Sequence, residues 1–75
     1  MSGSPRLPSL SWREVLKALG KVGFEPTRQS GSNIILRSQA GVRVTIPRHD
    51  PAGRGLLLEI VAEAGITGEE FLKLL

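Results

Sequence analysis

Hydrophobic residues first recur at helical spacing: Trp12, Val15, Leu16 and Leu19 stand at i, i+3, i+4 and i+7, one apolar stripe of an amphipathic helix. Ser11 and Glu14 form the S-x-x-E pattern in which a hydroxyl and a carboxylate satisfy the free amides of a first turn. That helix is predicted to end between Gly20 and Gly23. From Phe24 the period changes to two. Turn signals at Ser30-Gly31-Ser32 and Ser38-Gln39-Ala40-Gly41 divide the stretch into strands near Phe24 to Arg28, Asn33 to Arg37 and Val42 to Ile46. Ile34 and Leu36, with Val42, Val44 and Ile46, are predicted to face inward, while Asn33, Ile35 and Arg37 face outward. Connections this short make the sheet antiparallel.

Pro47 to Gly55 holds two prolines and three glycine or alanine positions and reads as a loop. Beyond it Leu57, Ile60, Val61 and Ala64 return to helical spacing, closed by Gly65. Thr67 and Glu70 make a second capping box, predicting a last helix from Gly68 to Leu75 with Phe71, Leu74 and Leu75 able to dock. The expected class is α+β in the order α-β-β-β-α-α, a three-stranded antiparallel sheet with helices on one face. Residues 1–10, with Pro5, Pro8 and three serines, read as a flexible amino-terminal tail, and residues 11–75 as a single domain.

Composition narrows this frame. A chain of 75 residues has room for one small core. With no cysteine, neither disulfides nor a thiolate metal cluster can reinforce it. No apolar run approaches the roughly 18 residues of a membrane span, and the first ten residues lack the apolar region of a secretory signal, so no membrane association and a cytoplasmic location are expected.

Charge is divided along the chain. Residues 1–54 carry nine Lys or Arg against three acids, and residues 55–75 carry one Lys against four Glu. A basic face suits a polyanion such as RNA, although scattered arginines also serve simply to solubilise a small domain. With only Trp12, Phe24 and Phe71 as aromatics, a stacking platform for single-stranded bases is not expected.

Candidate chemistry is sparse. His49 is the one histidine, in the loop after the third strand and beside Asp50. Such a residue is either a general acid or base or a local hydrogen-bonding group. Its surroundings show no ligand spacing for a metal, no nucleophile with an orienting partner and no P-loop, so no metal or cofactor is expected. Gly53-Arg54-Gly55 leads into a helix, where free amides beside Arg54 and Arg48 can seat a phosphate, or where the glycines simply allow a tight turn. Arg37 and Arg43, paired across a hairpin, would extend a basic track with Asn33, Ile35 and Thr45.

Six segments in order carry a resemblance. They are Leu7-Pro8, Gly23-Phe24, Gln29-Ser30-Gly31-Ser32-Asn33, Val44-Thr45-Ile46-Pro47-Arg48-His49, Ala64-Gly65-Ile66-Thr67 and Glu70-Phe71. Together they resemble the HicA, or YcfA-like, family of toxins over nearly the whole chain. The resemblance implies a fold like that of double-stranded-RNA-binding domains. It implies a metal-independent mRNA interferase of a type II toxin-antitoxin system, neutralised by a HicB-type antitoxin protein. Family members place a histidine directly after the Gly-Ser turn, as general base on a ribose 2′-hydroxyl; here that position is Asn33. An amide cannot exchange a proton near neutral pH, so the chain is expected to be inactive or weakly active, by a natural or an engineered change.

His49 matches the family's Pro-x-His motif and is a second catalytic candidate. Ser32, Arg37, Arg43, Arg48 and Arg54 are the expected contacts to mRNA or structured RNA. The helix after Gly55 departs from the family, with Leu56, Leu58, Glu59, Ala62 and Glu63 where hydroxyl and basic residues are common. Leu56 and Leu58 lie off its core stripe, available to a protein partner. A non-catalytic module of the same fold, binding RNA or an antitoxin, is the alternative reading.

Overall fold

Ser11 opens α1 (Trp12–Gly20) through the reciprocal cap its sequence predicts: Ser11 Oγ accepts the Glu14 N–H at 3.3 Å and Glu14 Oε1 accepts the Ser11 N–H at 3.0 Å. The structure, a computed structural model, describes residues 9–75. Most of the expected tail, and the Leu7-Pro8 segment, therefore lie outside the described residues. Leu10, assigned to that tail, is instead buried, and it pairs with Ala52 through backbone bonds of 3.3 and 2.6 Å.

Three antiparallel strands follow in the order β1-β2-β3: β1 (Glu25–Ser30), β2 (Asn33–Arg37) and β3 (Arg43–Pro47). Then come α2 (Arg54–Ala64) and α3 (Gly68–Lys73). The order is the expected α-β-β-β-α-α. Both ends of β1 and of β3 lie one or two residues further along the chain than expected, and the two starts have local reasons. Phe24 spends its N–H on the Leu19 carbonyl at the end of α1, so β1 starts one residue later. Val42 sits in the turn, accepting the Ser38 N–H and giving its own N–H to Ser38 Oγ, and is exposed rather than inward.

Ile34 and Leu36 of β2 and Val44 and Ile46 of β3 are buried on one face, with Val15, Ala18 and Leu19 of α1 and Leu57, Ile60, Val61 and Ala64 of α2. Phe71 closes the core from α3 at 0% exposure. Each of the Val, Leu, Ile and Phe side chains among these contributes about 1.5–3 kcal/mol by leaving water. The α2 stripe is as predicted. On α1, Ala18 takes a buried place while Trp12 and Leu16 are only partly covered. The last helix stops at Lys73, leaving Leu74 half-buried and Leu75 exposed.

All six residues of β1 are exposed, so this strand buries no side chain and acts as an edge. Its register shifts around Thr27, between Pro26 and Arg28, and Thr27 Oγ1 donates to the Ile35 carbonyl. A bulge and a proline are what disfavour further strand pairing at such an edge. At the opposite edge, Glu63 of α2 accepts the free Thr45 N–H at 3.2 Å, and Pro47 has no N–H to offer.

Candidate active site

Gly31 and Ser32 form the two-residue connection between β1 and β2, with Ser30 directly opposite Asn33. Gly31 has φ +60° and Ser32 a negative φ, the pairing of a type II′ hairpin turn. This turn delivers Asn33 as the first residue of β2, half-buried. Strand alternation puts its side chain with Ile35 and Arg37, on the face away from the helices.

Asn33 lies opposite Pro47 in the β2–β3 ladder. One residue further, the Arg48 N–H donates to the Ser32 carbonyl at 2.7 Å, extending the pairing past the end of the strand. Ser32, Asn33, Arg48 and His49 are thereby gathered at one end of the sheet. His49 is exposed. Among the described residues it makes no hydrogen bond to its neighbour Asp50, whose Oδ1 accepts the Trp12 N–H of α1 at 2.9 Å. Together with the Leu10–Ala52 pairing, that bond fastens the Arg48-to-Ala52 loop to the start of α1.

Arg37 and Arg43 are direct cross-strand partners, but at the other end of the face. Arg37 lies four residue steps along the strand from Asn33, roughly 13 Å at the usual rise. Glu25 faces Arg37 from β1, supplying opposite charge next to the two like charges. The basic track is thus real as a face and broken as a site. A hollow of about 310 Å³ lined by Val22, Phe24, Gln39, Val42 and Ile66 also lies at that far end, away from Asn33.

Arg54 opens α2, whose N-cap, Gly53, makes no side-chain cap. Neither Gly53 nor Gly55 has a positive φ, and an added Cβ at either meets nothing within 4 Å. The tight-turn explanation for these glycines therefore has no steric basis. The amides of the first turn are left without a side-chain acceptor. Leu56, expected to be free for a partner, packs partly against the core, whereas Leu58 is 42% exposed. Among the described residues no group of three His, Asp or Glu gathers in a way that could hold a metal ion.

The family model described as the HicA toxin of bacterial toxin-antitoxin matches residues 12–66, more than half of the chain. The chain belongs to the HicA toxin family. The match runs from α1 to the residues just after α2 and includes Asn33, Arg48 and His49. The α-β-β-β-α order and three-stranded antiparallel sheet agree with the double-stranded-RNA-binding-domain-like fold of HicA toxins. No curated protein matches the chain. No helix among the described residues is long and apolar enough to cross a membrane.

Trp12 and Arg13, which meet Arg48 at the start of α1, escape a reading of the sequence alone. The Arg48 guanidinium lies over the Trp12 ring, 5.1 Å from its centroid, and that of Arg13 lies 5.3 Å from the same centroid. Helical spacing assigns Trp12 to the core. Only the tertiary fold brings the loop carrying Arg48 onto its ring.

Proposed function

We propose that this HicA-family chain binds mRNA across the end of the sheet that carries Asn33, Arg48 and His49, and that Asn33 leaves it inactive or weakly active as an endoribonuclease. The observation that carries the reading is the 2.7 Å bond from the Arg48 N–H to the Ser32 carbonyl, which ties the Arg48-His49 segment of the backbone to the turn that precedes Asn33. Arg48 would hold a backbone phosphate, aided by Arg54 at the uncapped start of α2, with Ser32 at the turn. Arg37 and Arg43 would meet the RNA further along.

In such a site a general base takes the proton of a ribose 2′-hydroxyl, the oxygen attacks the adjacent phosphorus, and the 5′-oxygen leaves and takes up a proton. Histidine at position 33 can be that base and an amide cannot. General acid-base help is worth about 10²- to 10⁴-fold, so its loss removes most cleavage while leaving binding in place. His49, exposed and close by, is the second candidate for moving a proton. A HicB-type antitoxin is the expected protein partner, and by binding only the native state it would also stabilise so small a domain.

Expression in growing bacteria tests this reading. Asn33→His should arrest growth and the unaltered chain should not; growth unaffected by a folded, expressed Asn33→His protein would favour a module that binds without cutting.

A further inference from the structure

Resting on the RNA-holding role proposed above, we infer that Arg13 and Arg48, held against the single Trp12 ring, form a paired seat for RNA backbone phosphate, with Trp12 as its positioning residue. Both guanidiniums lie within 5.3 Å of the ring centroid. A planar cation lying over an indole face keeps its N–H edges free and has fewer rotamers to lose when an anion arrives. Arg48 is anchored twice, through its backbone to Ser32 and through its side chain to Trp12. The Arg48 backbone thus meets the turn that precedes Asn33, while its guanidinium sits at the start of α1.

The helix dipole does not favour the arrangement. Arg13 is the second residue of α1, where the helix dipole disfavours a positive charge, and Arg48 is drawn to the same positive end. Asp50 is the carboxylate facing this end, and its Oδ1 is engaged by the Trp12 N–H. Glu14, on the same turn, is engaged by the Ser11 N–H. Glu14 and Asp50 keep their negative charge and offset part of this cost, and an anionic ligand seated on the guanidinium edges would offset more of it. Trp12, too, leaves part of its ring outside the core while Val15, Ala18 and Leu19 of the same helix are buried.

Trp12 is the only tryptophan and there is no tyrosine, so intrinsic emission reports on this ring alone. The test titrates the full chain with a single-stranded RNA 12-mer of mixed sequence, at two salt concentrations, reading emission and RNA anisotropy. RNA should change Trp12 emission. Arg13→Gln and Arg48→Gln should each weaken binding several-fold and lower the salt slope by about one. Trp12→Leu should weaken binding about fivefold, with Trp12→Phe restoring it to within about twofold. Should Trp12→Leu fail to fold, the Arg13→Gln result decides.

Unchanged affinity and salt slope in Arg13→Gln, or in folded Trp12→Leu, while the unaltered chain binds RNA, would overturn the phosphate seat and leave the RNA-binding reading standing. No RNA binding by the unaltered chain would overturn both.

Discussion

Ser32 and Arg48 are joined backbone to backbone, the Arg48 N–H donating to the Ser32 carbonyl at 2.7 Å. The bond links a hairpin turn to the loop that follows β3, sixteen positions further along the chain. It fixes the distance between whatever residue stands at position 33 and the Arg48-His49 segment, so the turn at Gly31 governs the geometry of the site.

Gly31 is the weak point of that linkage. Its φ of +60° favours glycine, and a Cβ there meets nothing within 4 Å, so the cost of a side chain is conformational rather than steric. Gly31→Val should lower stability by about 1–2 kcal/mol. It should also weaken RNA binding beyond what unfolding accounts for. Urea denaturation together with an affinity measured well below the unfolding midpoint checks both.

Phe71 carries the attachment of α3. It is the largest fully buried side chain, on a helix of six residues that has little stability of its own. Phe71→Ala should cost about 3–5 kcal/mol, comparable to what a single small core supplies. Circular dichroism at 25 °C should show a largely unfolded protein, with native signal regained on adding a partner that binds only the folded state.

Asp50 caps α1 from a distant part of the chain, its Oδ1 accepting the Trp12 N–H at 2.9 Å. Asp50→Ala should destabilise the protein by about 1 kcal/mol, as for other lost helix caps. The loop should loosen with it. Faster amide hydrogen exchange at Trp12 and Ala52, with the rest of the core unchanged, is the expected pattern.

The arginines should not be equivalent. Arg48→Gln should lower the dependence of RNA affinity on log salt by nearly one unit, the signature of one lost phosphate contact. Arg37→Gln should change it less, since Glu25 already stands opposite Arg37. Equal slopes for the two variants would show a single continuous track of charge in place of a site centred on Asn33.

Much of this fold was legible from local rules. Both capping boxes, the Leu57, Ile60, Val61 and Ala64 stripe and the Ser30-Gly31-Ser32 turn depend on neighbours three or four residues away, and all are observed. Asn33 was placed at the start of a strand for the same reason. Trp12 was not legible, because its partners Arg48 and Asp50 come from 36 and 38 residues further along. Nor was the burial of Leu10, which depends on a bridge to Ala52. The separation of Arg37 and Arg43 from Asn33 follows from strand geometry once the register is known, and charge counting along the chain does not contain it.

On the function proposed above, one position switches off a ribonuclease site. The most direct test is the time course of cleavage of a long mRNA by the unaltered chain and by Asn33→His, with folding of both confirmed by circular dichroism. Cleavage by Asn33→His at least about 10²-fold faster than by the unaltered chain is the predicted result. Equal rates in the two folded proteins, whether both fast or both absent, would contradict it.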